Sequence, residues 1–304
     1  MKENFRHIGL AKLCGWFGIS RQAYYQNSWS SHVNSVEDKL VVDEVNKIRL
    51  IHRRMGTRKL YELLQVFMLE HRIKMGRDAL FDLLAAHGLL VRKKRSNIIT
   101  TYSNHMFKKY PNLNKDLVLY RINELWVSDI TYWQVKDRFY YISLITDAYS
   151  HKIVGYQVAE SLAAVHCVQA LQMATEMLEA DRKYQLIHHS DRGLQYCSNN
   201  YIQLLTKYNI AVSMTEHGDP RENAIAERVN GILKHEYLDF YTPENINEAT
   251  VILNTAIQLY NEQRPHMSIG NLKPNQIHKE NLMVTEKLWK NYYHKQKPCI
   301  INNQ

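Results

Sequence analysis

No apolar stretch in these 304 residues approaches the roughly 18 consecutive residues that a membrane-spanning helix requires, which excludes an integral helical membrane protein. The start, MKENFRHIGLAKLCGWFGIS, has neither the uninterrupted apolar core nor the small-residue cleavage site of a secretory signal. A soluble cytoplasmic protein is therefore expected. The four cysteines, Cys14, Cys167, Cys197 and Cys299, are scattered and form no CxxC pair. Neither a disulfide framework nor a zinc ribbon fits, and reduced structural thiols are expected. Internal repeats and low-complexity tracts are absent as well. An apolar share of 45% rules out a mainly disordered chain, and the length exceeds one average domain, so two or three units are expected.

Positive charge is in excess, and its distribution is informative. Residues 1–110 hold 20 of the 39 Lys and Arg but 9 of the 30 Asp and Glu, so the whole excess of the +9 chain lies in its front third. A basic region of this kind suits a polyanion, because each phosphate neutralised by Lys or Arg releases a condensed counterion. The bland alternative is a solvated basic face.

Residues 8–26 read as two short helices around a turn, with Ser20 as N-cap of the second. Helix-turn-helix logic would then present Arg21 and Gln22 to a DNA groove. The polar SWSSHVNSVEDK (28–39) reads as a linker. Apolar positions at helical spacing predict a helix over 36–54, a second from Arg58 to about Glu70 capped by Thr57, and a third from about Gly76 to His87 with Gly88 as C-cap. Arg58 and Lys59 stand at the start of the second, and Arg92, Lys93, Lys94 and Arg95 follow the third as a basic linker. From residue 124 the pattern changes. LWVSDITYWQV, RFYYISLITDAYS and KIVGYQVAE read as three strands, followed by a helix (162–180), a strand (185–191), a helix (198–209), a strand (210–215) and helices over 222–238 and about 243–262. Three strands, helix, strand, helix, strand, helix is the order of a ribonuclease-H-like core. The expected fold class is α/β: a five-stranded mixed sheet with flanking helices, preceded by all-α helix-turn-helix-type regions. The expected divisions are 1–35 (helix-turn-helix-like segment and linker), 36–115 (helical DNA-binding domain with basic linker), 116–280 (catalytic core) and 281–304 (tail).

Three acids occupy informative places. Asp129 lies within the first core strand among Trp126, Ile130, Tyr132 and Trp133. Asp191 directly follows the fourth strand. Glu227 sits in the helix after the fifth, with 35 residues intervening. A carboxylate in an apolar strand needs compensation, because burying an unpaired charge is costly. A salt bridge would supply it for any one of them; a shared divalent cation would supply it for all three. Phosphodiester transfer uses such acids, since two Mg²⁺ ions about 3.5–4 Å apart activate the attacking oxygen and stabilise the leaving one. Mg²⁺ takes oxygen ligands, so His188 and His189 are set aside as ligands.

WVSDITYW (126–133), HSDRGLQY (189–196), GDPRENAIAERVNGILKHE (218–236) and YNEQRPHMSIGNLKP (260–274) resemble the successive motifs of OrfB-type insertion-sequence transposases, which carry the catalytic core of retroviral integrases. The resemblance spans roughly residues 40–280. It implies that Asp129, Asp191 and Glu227 are catalytic and hold two Mg²⁺ ions, for which Mn²⁺ can substitute. It implies cleavage at element ends and joining of the freed 3′-hydroxyl to DNA. The implied partners are terminal inverted repeats, target DNA and further copies of the chain, in a bacterial, nucleoid-associated setting. It leaves open whether the chain acts alone or as the carboxyl part of a fusion with an upstream-frame helix-turn-helix protein. The paired His and Cys of a retroviral zinc unit are missing, and Asp-Pro-Arg-Glu-Asn (219–223) stands where many relatives have Asp-Asn before Ala.

Among the neighbours, Asn223 and Lys234 are four before and seven after Glu227, spacings that share a helix face. Lys234 resembles a basic residue aimed at terminal DNA; it is equally a solvated lysine. Arg228 and Arg192 are further candidate DNA contacts, and Gly193 permits close backbone approach. For Tyr260, Asn261, Arg264, Pro265 and His266 a structural clasp is the bland reading. The functional alternatives are a DNA-binding regulator on an inactive integrase-like core and a nuclease that cuts without rejoining.

Overall fold

The computed structural model describes residues 8–91, 108–115, 117–178, 184–216 and 220–280, with only the backbone at 26–35 and 220–221. The basic cluster Arg92, Lys93, Lys94 and Arg95 and the tail 281–304 lie outside the described residues. The chain divides into two compact units, residues 1–92 and 93–304.

In the first unit, α1 (Leu10–Trp16) ends at Gly18, whose φ of 65° turns the chain, and Ser20 Oγ accepts from Ala23 N at 3.0 Å to cap α2 (Arg21–Ile51). This is the predicted cap. The predicted linker over 28–39 is not there: α2 runs unbroken for 31 residues. The segment contains no Pro or Gly, and Ser and Asn each cost a helix only a few tenths of a kcal/mol, so nothing in it stops propagation. Val41 and Val45 of α2 bury against Leu60, Leu64 and Met68 of α3 (Thr57–Glu70) and Leu80 and Leu84 of α4 (Arg77–Ala86). Thr57 is the first residue of α3 and buried, with Gly56 at the cap, not the capping residue itself. At the end of α4, Gly88 adopts φ 66°, Gly88 N donates to Ala85 O and Leu89 N to Leu84 O at 2.7 Å. That hydrogen-bond pair is the Schellman closure a glycine makes easy, as the sequence anticipated.

The second unit is built on β1 (Leu125–Val135), β2 (Arg138–Asp147), β3 (Ile153–Ala159), β4 (Leu186–Ser190) and β5 (Ile210–Met214). The sheet order is β3-β2-β1-β4-β5, antiparallel across β3, β2 and β1 and parallel across β1, β4 and β5. This is the ribonuclease-H-like arrangement expected from the element order. One face buries Trp126, Ile145 and Val154 under α5 (Ala164–Thr175) and α6 (Asn199–Lys207). The other buries Trp133, Tyr140, Ile142 and Leu144 under α7 (Ala224–Ile232) and α8 (Ile246–Gln263); α9 (Pro274–Glu280) follows. The predicted helix over 222–238 has three parts: a 3₁₀ turn (Pro220–Asn223), α7, and a π turn (Leu233–Tyr237). Gly155 lets β3 and α5 meet, since a Cβ there would lie 2.1 Å from Ala170 O. Among the described residues no helix is long and apolar enough to cross a membrane.

Candidate active site

The register of the parallel strands places the two aspartates. β1 and β4 pair from Leu125↔Ile187 to Ser128↔Ser190, so Asp129 and Asp191 occupy the next rung of adjacent strands, where the ladder ends. In-register residues of parallel strands point to the same face, and neighbouring strands are about 4.8 Å apart. The strands end together there because Asp191 leaves β4 for the loop at Arg192-Gly193, while β1 runs on beside β2, with Asp129 opposite Leu144.

Each carboxyl group is oriented by the protein. Asp129 Oδ1 accepts from Ile130 N at 2.9 Å and Oδ2 from Asn230 Nδ2 of α7 at 2.9 Å. Asp191 Oδ1 accepts from Gly193 N at 3.0 Å, and a Cβ on Gly193 would come within 3.0 Å of that same oxygen. The bare α-carbon at Gly193 therefore allows the loop to fold over the carboxylate, the close approach expected from the sequence. Glu227 lies on the first turn of α7, exposed, three residues before Asn230 and so on the same side of the helix. Burial, then the charge of Asp191, push the Asp129 carboxyl up to about 7; the hydrogen bonds from Asn230 and Ile130 pull the other way, and Glu227 adds a smaller upward push. Asp129 and Asp191 thus feel one another's charge, with Glu227 a weaker contributor. Among the described residues, however, no three His, Cys, Asp or Glu side chains form a ready-made metal cage.

The support beneath the site is polar. Ser128 Oγ and Tyr201 OH lie 2.7 and 2.8 Å from His188 Nε2, and burial lowers the His188 pKa to about 3, so the ring is neutral. His189 Nδ1 lies 2.8 Å from Ser213 Oγ. Both histidines are engaged inside the sheet. Cys14, Cys167 and Cys197 are buried and carry no disulfide.

The other candidates divide. Arg21, Gln22 and Arg58 are exposed on the first turns of α2 and α3, with Lys59 half-buried beside Arg58. Arg228 is exposed next to Glu227, and Arg192 is half-buried. Asn223 departs from expectation. It ends the 3₁₀ turn as the residue before α7, with φ −126°, so the i, i+4 alignment with Glu227 does not apply. It is buried, and its Nδ2 donates to Ser128 O at 2.9 Å. Asn223 braces β1 from a buried position instead of sharing an exposed helix face with Glu227. Lys234 is half-buried and falls within the π turn, whose wider winding shifts it from the α-helical i+7 position assumed for it. Glu222 Oε2 accepts from Glu216 N at 2.8 Å, bridging the two ends of segment 217–219. Sequence reasoning missed Asn230. Its signal was a polar residue in the apolar stripe Ala226, Val229, Ile232, three positions after Glu227.

Two family descriptions, both of the integrase core domain, match residues 120–220 and 208–274. The insertion element IS600 uncharacterized 31 kDa protein of Shigella sonnei is 35% identical over 267 residues, covering 86% of this chain and 96% of that protein. The transposase for insertion sequence element IS629, also of Shigella sonnei, is 28% identical over 278 residues, 89% of this chain and 92% of its own. The transposase InsF for insertion sequence IS3fB of Escherichia coli (strain K12) is 31% identical over 202 residues, 66% of this chain and 69% of its own. The matched segments include β1 with Asp129, the end of β4 with Asp191, and α7, and on this similarity the chain belongs to the insertion-sequence transposases with an integrase-type, polynucleotidyl-transferring core.

Proposed function

We propose that Asp129, Asp191 and Glu227 hold two Mg²⁺ ions, replaceable by Mn²⁺, and that the chain cuts DNA at the ends of its element and joins the freed 3′-hydroxyl to target DNA. The observation that carries this reading is the placement of Asp129 and Asp191 each one residue past the last paired rung of β1 and β4, with an Asp129 carboxyl raised to about 7. Two carboxylates held side by side in a partly buried notch repel one another, and a hard, oxygen-seeking cation relieves that repulsion. The donor set therefore fits: oxygen only, with Glu227 on an exposed first turn from which its side chain can swing in. When bound, such ions polarise the attacked phosphate and favour the attacking and leaving oxygens.

The chain's own groups supply the rest. Asn230 and Ile130 N–H fix the plane of the Asp129 carboxylate, and Gly193 N–H holds Asp191. Arg228 and Arg192 are within one residue of two of the acids and suited to phosphate oxygens. In the first step water attacks phosphorus and the element's 3′-oxygen leaves, taking up a proton as a 3′-hydroxyl. In the second, that hydroxyl attacks a target phosphodiester and displaces the target's 3′-oxygen. The first unit, with Arg21, Gln22, Arg58 and Lys59 at helix starts, supplies the charge to hold DNA. Joining an element requires both ends in one complex, so at least two copies act together on DNA, in the bacterial cytoplasm at the nucleoid.

The test is strand transfer of an oligonucleotide carrying the element end, with and without Mg²⁺. Asp129→Asn, Asp191→Asn and Glu227→Gln should each lower joining by at least about 100-fold while leaving DNA binding largely intact. Joining at wild-type rates in any of the three removes that residue from the site. A wild-type protein that binds ends but joins nothing would instead be a regulator on an inactive core; one that cuts without joining would be a nuclease.

A further inference from the structure

The motif YNEQRPHMSIGNLKP ends α8 and plays no part in the site described above. Its residues form a chain of polar contacts leading back to that site. Asn261 lies alongside the first residue of β3 as a strand would, accepting from Ile153 N and donating to Ile153 O, both at 3.0 Å. Tyr260 OH donates to His151 O at 3.0 Å. The end of α8 is thus tied to the sheet. Arg264, one turn on, is only 1% exposed and grips Glu236 with two parallel bonds, Nε to Oε2 and Nη2 to Oε1, each 2.8 Å. Its Nη1 reaches Pro265 O at 3.3 Å and His266 Nε2 at 3.0 Å. Burial works against the guanidinium charge, but the Glu236 hydrogen bonds and charge outweigh it and hold the Arg264 pKa up.

Glu236 belongs to the π turn that continues α7. A π turn takes in one residue more than an α turn and persists where the surroundings hold it, often beside functional sites. If it relaxed to α geometry, α7 would shift against the sheet by about one residue, roughly 1.5 Å along its axis and 100° around it. Close to the π turn, two residues before the end of α7, Asn230 pins the helix to Asp129 of β1. Glu227 lies three residues before that pin. The fold itself does not depend on the ion pair, because Val229, Ile232, Leu233 and Tyr237 already bury against Leu253, Ile257 and the sheet. Buried ion pairs are in any case weak stabilisers, whereas their geometry is directional.

We propose that Arg264 is a positioning residue for Glu227: by clamping Glu236 it keeps the π turn open and sets the phase at which α7 presents Glu227 to Asp129 and Asp191. This rests on the proposed role of the three acids in metal binding.

The decisive variant is the double substitution Glu236→Leu with Arg264→Met, which replaces the pair by apolar groups of similar volume. Thermal unfolding reports the fold, Mn²⁺ titration of the protein alone by electron paramagnetic resonance reports the site, and Mg²⁺-dependent strand transfer reports activity. The expected result is a folded protein whose Mn²⁺ affinity falls at least tenfold. Its half-saturating Mg²⁺ concentration should rise to match, with the maximal rate largely restored at high metal. Wild-type Mn²⁺ affinity and Mg²⁺ dependence in a folded double variant overturns the proposal. If the double variant does not fold, Arg264→Lys, which keeps the charge but not the two-pronged grip, decides by the same readouts. Failure of both to fold makes the pair structural and equally overturns it. Glu227→Gln is titrated alongside: unchanged Mn²⁺ affinity there would strike the assignment of Glu227 itself, separately from anything seen at Arg264.

Discussion

Replacing Asp129 by asparagine should stabilise the metal-free protein, and the gain should grow with pH. Burial and the neighbouring Asp191 push the Asp129 carboxyl up to about 7 in the folded state, whereas an unfolded chain releases that proton near pH 3.9. Between those values the folded form binds more protons than the unfolded, so stability falls as pH rises through the window. A shift of about three units at roughly 1.4 kcal/mol each sets a ceiling near 4 kcal/mol, and partial solvent access brings the expectation to about 2–4 kcal/mol. Asparagine removes the ionisation and keeps the hydrogen bonds: its oxygen still accepts from Ile130 N. A flipped Asn230 amide can accept from its nitrogen, since Asn230 Oδ1 is buried without a partner. Urea unfolding followed by the fluorescence of Trp126 and Trp133, both in the sheet core, measures the difference in EDTA from about pH 4 to about pH 9. The gap between Asp129→Asn and wild type should be near zero at the acid end and level off above about pH 7.5. Excess Mg²⁺ should then close it, because only the wild type gains a ligated cation. A gap independent of pH, or a wild type more stable than the variant at pH 8 in EDTA, would refute the reasoning.

His188 should produce the opposite slope. Burial lowers its pKa to about 3, so stability is fully present above the unfolded value near 6.5 and is lost as pH falls from there towards 3. In the Asp129→Asn background, where that residue's opposing slope is gone, the His188 contribution should lower urea midpoints between pH 6.5 and 4 by up to about 1.4 kcal/mol per unit, and His188→Asn should make that segment shallower, with His189, His278 and the opposing Asp147 setting what remains. Gly155→Ala would set a methyl 2.1 Å from Ala170 O and 2.9 Å from Ala174 Cβ, forcing α5 off the sheet. A loss on the order of 3 kcal/mol is expected, read as a fall in melting temperature, and an unchanged melting temperature would show that β3 and α5 yield easily.

How much of this was legible beforehand depends on the kind of signal. β1, β2 and β3 announced themselves through dense β-branched and aromatic residues, and the acids stood out as charges next to apolar strands. α2 did not: the sequence has no positive mark for a helix through SWSSHVNSVEDK, only the absence of a breaker, and polar composition was mistaken for one. The π turn at Leu233–Tyr237 has no sequence signature, being a shift in backbone hydrogen-bond partner that residue types alone do not mark. The helix face expected for Asn223 failed for a related reason. Its spacing from Glu227 means one thing in a continuous helix and another when a 3₁₀ turn precedes α7 and leaves its amide to Ser128 O. Spacing arguments hold inside one regular element and fail at its ends.

The basic first third and the near-neutral remainder of the chain differ in how they would meet a polyanion. The acidic notch of β1, β4 and α7 repels phosphate as long as its carboxylates are uncompensated, and the residues after 110 carry slightly more acid than base. An approaching strand adds negative charge to a place where one carboxyl is already held up to about 7 by its neighbours and its burial. On the proposed function, attraction over distance would come from the basic first third, where the excess positive charge lies. Among the described residues the bonds to Asp129 come from an amide and a backbone N–H, which orient a carboxylate without neutralising it; on the proposed function, cations would reach the notch before, or together with, the strand. The hydrogen bonds that leave the charge in place are what make the aspartate costly to the folded chain and, on the proposed function, available to a metal.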